Sequence, residues 1–320
     1  IKPHWPYIVP APYHNMFGAN HVPAATRHAV EQDDPHPVFG AYMQNKIAAA
    51  FQREEVRQKV IPAYMGLIKQ ADDQMGRLFA HLQATGRMDD TMIVVTSDHG
   101  DYLGDHWLGE KDLFHEASVK VPLIIYDPSS DALRGETCDA LVEAIDLLPT
   151  FIDVAGGEIP HHICEGQSLM PLLRGETPKW RDWAVSEYDF SCTPMCAELG
   201  LSPTDARLFM ITDHRWKFMH SEGGFAPMLF DLRNDPNEYT DLGNSLDHAD
   251  IIRKMYDRLG RWGRRMSQRV TMSDAQIIPR QGNTPGGGVG IFIGHYEEDD
   301  VPQEAREKYI GAARKDYTHD

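Results

Sequence analysis

The chain has 320 residues, 42% hydrophobic and 25% charged, with a formal net charge of -17 at pH 7. That length suits one large domain or a domain with a smaller companion, and the charge argues against nucleic acid or an anionic membrane surface as partner. No stretch approaches the roughly 20 apolar residues of a membrane span, and four cysteines make no disulfide framework, which favours a reducing, cytoplasmic setting.

The chain opens Ile1-Lys2-Pro3-His4-Trp5-Pro6-Tyr7-Ile8-Val9-Pro10, without initiator methionine, basic n-region or apolar h-region, so no signal peptide is expected. Residues 14–37 are rich in His, Pro, Asp and Ala and follow neither a helix nor a strand period. His14, His21, His28 and His36 lie seven or eight apart, unlike the i, i+4 spacing of helix-borne metal ligands, and read as solvated loop residues that border a substrate mouth. Residues 52–86 form the clearest helix: Val60, Tyr64, Leu67, Ile68, Ala71, Met75, Leu78, Phe79 and Leu82 recur at three- and four-residue steps. Gly86 is a stop, and Pro62 kinks or divides the helix. Asp72 and Asp73, adjacent on a helix, point about 100° apart and read as solvated or capping groups rather than a metal pair.

After the helix comes Thr91-Met92-Ile93-Val94-Val95-Thr96, a β-branched apolar run that predicts a central parallel strand buried on both faces. An α-then-β order of this kind is typical of a parallel sheet. The strand ends in Ser97-Asp98-His99-Gly100-Asp101, where polarity inverts. Ligands of open α/β sheets bind beyond the carboxyl ends of strands, so Asp98 and His99 are candidate metal ligands; the alternative is an Asp capping a turn beside a surface His. Polar, glycine-rich chain continues through Gly104-Asp105-His106 and Gly109-Glu110-Lys111 until a second strand, Val121-Pro122-Leu123-Ile124-Ile125-Tyr126. A long polar loop between two core strands is usually functional when ordered, and His106 within it is a candidate for the substrate mouth.

S-D-H-G-D-x-L-G-D-H, a lysine thirteen residues after Asp98, and S-V-K-V-P-L-I-I resemble the type I sulfatases of the alkaline phosphatase superfamily. The Gly-Asp-His-Trp-Leu-Gly spacing looks closest to the phosphonate monoester hydrolase branch. The resemblance implies an α/β fold, a mostly parallel central sheet sandwiched by helices, with a smaller C-terminal α+β subdomain. It implies that Asp98 and His99 bind the active-site metal and that Lys111 contacts the sulfate or phosphonate oxygens. K-P-H-x-P-Y-x-x-P resembles the family's histidine segment, making His4 a general acid for the leaving group or a donor to the bound anion.

The family's formylglycine nucleophile arises from a Cys/Ser-x-Pro-x-Arg motif that would precede His4, as would an Asp-rich metal motif; neither occurs in these residues. Cys192-Thr193-Pro194-Met195-Cys196 carries Cys-x-Pro but has Cys196 at the arginine position, and reads as a decoy. The resemblance therefore covers the C-terminal two-thirds of the family pattern, and no nucleophile is assigned in this chain. An N-terminal segment of the same protein is the expected source of the formylglycine, and a small anionic ester the expected substrate. The alternatives are an arylsulfatase or alkyl sulfatase proper, or a non-catalytic sulfatase-like binding or assembly subunit. An Asp–His ligand set favours Mn2+, Zn2+ or Fe2+, with Ca2+ tolerated.

Residues 139–156 read as another helical unit, and Gly166-Gln167-Ser168-Leu169-Met170-Pro171-Leu172-Leu173 resembles a structural stretch of the family. Short, closely spaced strands near 183–188, 208–211, 216–219 and 228–232 predict an antiparallel sheet, closed by a helix over about 248–269. The expected organisation is 1–179, the C-terminal part of the catalytic domain; 180–275, the smaller subdomain; and 276–320, an extended tail that joins subunits of a homo-oligomer. Pro285-Gly286-Gly287-Gly288-Val289-Gly290 is no phosphate loop, because no Lys-Ser/Thr follows it and no strand precedes it.

Overall fold

The computed structural model describes residues 3–161, 164–264 and 278; apart from Ile278, the expected tail lies outside the described residues. Three α-helices follow three short 3-10 turns. α1, Pro37–Gln44, starts with proline at its first position and is capped by His36, whose ring accepts the Val38 N–H. α2, Lys46–Phe51, is capped by the Asn45 side chain on the Ile47 N–H. α3, Glu54–Ala84, carries Glu54 and Glu55 at its positive end and keeps Pro62 inside an unbroken helix.

The apolar stripe of α3 is only half used. Val56, Val60, Ala63 and Leu67 pack with Tyr7, Val9 and Phe51, whereas Ile68 and Leu78 further along are exposed. Asp73 pairs with Lys69, four residues back on the surface, as its place on the helix predicts.

β1, Ile93–Thr96, and β2, Leu123–Tyr126, flank the polar loop, which contains a 3-10 turn, Asp105–Trp107, and one α-helical turn, α4, Glu116–Val119. The sequence predicts a parallel, doubly covered setting for β1. Here the structure differs: β1 pairs with β2 antiparallel, Ile93 opposite Tyr126 and Thr96 opposite Leu123, and among the described residues β2 is its one ladder partner. A parallel pair needs a crossover, usually a full helix, whereas this loop carries only short helical turns. The strands are correspondingly half-buried, with Ile124 64% exposed.

α5, Leu147–Val154, follows a short 3-10 turn, so the expected helix begins at 144 rather than 139. Its start is fixed by Asp146, fully buried, which accepts from the Glu143 and Gln167 N–H groups and pairs with Arg181. α6 is Met170–Leu173.

The remainder is an antiparallel meander in the order β3-β4-β5-β6: β3, Ala184–Asp189; β4, Arg207–Thr212; β5, Trp216–Ser221; β6, Met228–Asp231. α7, Pro194–Glu198, lies between β3 and β4, and α8, Ala249–Gly263, closes the sheet. Alternation along the strands divides the sheet between two cores. Leu208, Met210, Met219 and Phe230 pack with Val38, Tyr42, Leu113 and Phe190; Ile211, Phe218 and Leu229 pack with Met255 of α8. The first core contains Tyr102, Leu108, Leu113 and Phe114, so the sheet anchors the polar loop.

Candidate functional site

The polar loop brings the candidate residues to one place. Gly100 donates its N–H to the Ser118 carbonyl at 2.7 Å, and the Ser118 hydroxyl donates to the Lys111 carbonyl at 2.5 Å. One residue of α4 therefore fixes both the end of β1 and the backbone of Lys111. Gly100 is required for this approach, because a Cβ there would lie 1.9 Å from the Ala117 oxygen.

His99 donates Nδ1–H to the Gly100 carbonyl at 2.8 Å, leaving Nε2 as the outward nitrogen. That Nε2 lies 3.7 Å from Oδ2 of Asp98, whose side chain is 85% exposed. An imidazole oriented through its other nitrogen, with a carboxylate oxygen at that separation, fits two ligands of one divalent ion. Among the described residues no third carboxylate, imidazole or thiolate joins them.

His4 completes the cluster from the other end of the chain. Its Nδ1 lies 2.9 Å from the Trp5 carbonyl and its Nε2 3.1 Å from Nζ of Lys111. The first contact requires Nδ1–H, so Nε2 accepts from the ammonium and the ring is neutral. Burial lowers the His4 pKa, and the Lys111 and His99 charges add to that against the Trp5 carbonyl. His4 and His99 meet edge to face with centroids 5.7 Å apart.

Three carboxyls around Lys111 were not among the sequence candidates. Asp101 accepts from the Tyr7 hydroxyl at 2.9 Å and the Leu103 N–H at 3.2 Å, yet burial raises its pKa to about 6. Burial and then the neighbouring Asp112 push Glu110 up to about 7. Asp112 is raised chiefly by burial. Adjacency to S-D-H-G marked Asp101; nothing local marked Tyr7 or Ser118.

His106 is a correction. Expected at the substrate mouth, it is buried, bonded through Nδ1 to Glu31 at 2.5 Å and stacked on His115. Its backbone, at φ 51, turns the ring inward. Residues 23–31 are likewise not free loop. Thr26 bonds Asp105 and His106, the Trp107 indole N–H donates to the His28 carbonyl, and the buried Arg57 guanidinium bridges the Leu103 and Pro23 carbonyls. Cys196, the second sulfur of the decoy motif, is buried in the core under the sheet.

Two family models match the chain, "Sulfatase" over residues 1–157 and "N-sulphoglucosamine sulphohydrolase, C-terminal" over 104–265. The chain belongs to the sulfatase family. This sulfatase-family chain is 34% identical over 281 residues to the multifunctional alkaline phosphatase superfamily protein PehA of Trinickia caryophylli, covering 82% of this chain and 54% of that protein. It is 28% identical to an arylsulfatase of Clostridium perfringens, covering 79% and 50%. Its structure matches the phosphonate monoester hydrolase of Silicibacter pomeroyi with a TM-score of 0.76 at 33% identity, covering 82% and 54%. The fold is thus the α/β fold of the sulfatases and alkaline phosphatases. The chain spans about half the length of the curated relatives it matches.

Proposed function

We propose that this chain forms part of a metal-dependent hydrolase of phosphonate monoesters, phosphodiesters and sulfate esters. The observation that carries this reading is the convergence of His4, His99 and Lys111 on one spot beyond the end of β1. The preference for phosphonate over sulfate rests on the greater likeness to the Silicibacter phosphonate monoester hydrolase than to the Clostridium arylsulfatase.

In this reading Asp98 and His99 hold one divalent ion, Mn2+, Zn2+, Fe2+ or Ca2+, with further ligands from an N-terminal segment of the same protein. The bound ion would supply Lewis-acid polarisation of the ester oxygens. The same segment supplies the formylglycine nucleophile. Lys111 places its ammonium where negative charge accumulates on the transferring group. His4 shares the proton on the line from Nζ to Nε2, and a leaving oxygen lodged there draws that proton. The Tyr7 hydroxyl and the Leu103 N–H hold Asp101 within the field of the Lys111 charge.

Three further expectations belong to the same proposal. The substrate is a small anionic ester; the protein is a homo-oligomer; and it works in the cytoplasm, where cysteines such as Cys138, Cys164 and Cys192 stay unbridged. No helix among the described residues is long and apolar enough to cross a membrane.

The test is turnover of a nitrophenyl phosphonate and a nitrophenyl sulfate, with intact mass and peptide mapping of the same sample. Metal-dependent turnover together with a converted Cys/Ser-x-Pro-x-Arg peptide supports the reading, and the rate ratio chooses the branch. A 36.2 kDa chain as the whole sample, without turnover, overturns it in favour of a non-catalytic sulfatase-like subunit.

A further inference from the structure

A second cluster of ligating side chains lies away from His4 and Lys111. Glu31, His106 and His115 come from three separate segments: the 3-10 turn Ala29–Gln32, the turn Asp105–Trp107, and the residue preceding α4. One ligand atom of each lies within 4.8 Å of the others, and all three side chains are nearly excluded from solvent. The proposed hydrolysis uses none of them.

We propose that Glu31, His106 and His115 bind a borderline divalent cation, Zn2+ by preference, which fastens the 29–32 turn to the loop that carries Lys111. Two imidazoles and one carboxylate suit Zn2+, whereas Ca2+ and Mg2+ require six or more oxygens.

The outer atoms of two ligands are already held, as at built metal sites. Oε2 of Glu31 accepts the His28 N–H at 2.6 Å, which turns Oε1 inward. Nδ1 of His115 is 3.0 Å from the Tyr102 hydroxyl, which leaves Nε2 as the free nitrogen. A partner on the far ring nitrogen fixes the tautomer and orientation of a ligating histidine.

A proton occupies the central contact, between Oε1 of Glu31 and Nδ1 of His106 at 2.5 Å. Donors on a tetrahedral Zn2+ stand about 3.3 Å apart. Binding therefore opens that contact slightly, displaces its proton and draws in the third atom. The His106 and His115 rings stack with centroids 3.8 Å apart and planes 8° from parallel, which holds the two imidazoles side by side at the cluster. The ion also sets positive charge directly against a nearly buried carboxylate.

The test removes the other candidate metal site first. A chain carrying Asp98→Asn and His99→Asn is stripped with chelator and given Zn2+ alone. The expected result is one Zn2+ per chain by mass spectrometry, with X-ray absorption showing two imidazoles at the ion and a raised melting temperature. Adding Glu31→Gln, which preserves shape, lowers the affinity about 100-fold or more, and Tyr102→Phe about tenfold. Absence of stoichiometric Zn2+, a coordination shell without two imidazoles, or an affinity unchanged by Glu31→Gln overturns the proposal. The absorption measurement needs neither added substitution, so a variant that fails to fold leaves the test intact.

Discussion

Nζ of Lys111 lies 3.1 Å from Nε2 of His4, across 107 residues of sequence, and holds that imidazole neutral. Burial is the larger cause of the lowered His4 pKa, with the Lys111 charge acting in the same direction. Lys111→Met is therefore expected to raise the His4 pKa toward its ordinary value, read from the His4 ring protons by NMR across pH. In the active protein the same change is expected to lower kcat by about 10²–10³ while the fold persists. An unmoved His4 titration removes the coupling, and unchanged turnover removes the catalytic role.

Gly100 and Ala117 set the tightest approach at the site. A methyl group on Gly100 would meet the Ala117 carbonyl oxygen at 1.9 Å, and backbone cannot step aside as a side chain can. Gly100→Ala is expected to cost about 2–4 kcal/mol, seen as a lower denaturation midpoint in urea. It also displaces His99, so metal affinity at the Asp98–His99 pair falls with stability. A midpoint within error of the parent would mean that the strand end and α4 separate freely.

How much of this was legible in the sequence follows from the range of each interaction. Asp98 and His99 are neighbours in the chain and were readable as a pair; the 52–86 helix and the C-terminal strands follow from local periods. His4 and Lys111 came from resemblance, since nothing local connects positions 4 and 111. The direction in which β1 pairs is not legible in its sequence, because an apolar run gives burial but no direction. The burial of His106 is not legible locally: its polarity suggests solvent, whereas Glu31, 75 residues away, satisfies it inside. Tyr7 beneath Asp101 and Arg57 beneath Leu103 are long-range contacts of the same kind, which no local pattern encodes.

Glu110 gives a pH prediction whose sign is fixed. Its folded pKa, about 7, lies above its unfolded value, so the folded chain keeps a proton that the unfolded chain has released at intermediate pH. Stability from this group is thus greatest in mild acid and is lost as pH rises through about 7. Glu110→Gln removes the buried charge. It is expected to match the parent near pH 4.5 and exceed it at pH 8, by on the order of 2 kcal/mol after allowing for solvent screening. Chemical denaturation of both chains at the two pH values checks this, and equal differences at both would refute it.

Lys217 closes the account of what holds the loop on the sheet. Rising from β5 with no exposed side-chain surface, it pairs with Glu116 at the start of α4 and with Glu238 in the turn after β6, each at 2.7 Å. Oε2 of Glu238 also accepts the Glu116 N–H at 2.7 Å. Removing one partner of a buried ion pair leaves an uncompensated charge, which costs about 3–5 kcal/mol, whereas removing both with shape preserved costs far less. Lys217→Met is therefore expected to destabilise the chain by that amount, and adding Glu238→Gln to recover a large part of it. Because α4 fixes both Gly100 and Lys111 through Ser118, the single variant should also loosen the His4–Lys111 contact, seen as a rise in the His4 pKa. A double variant no more stable than the single one would mean that Lys217 contributes packing rather than charge.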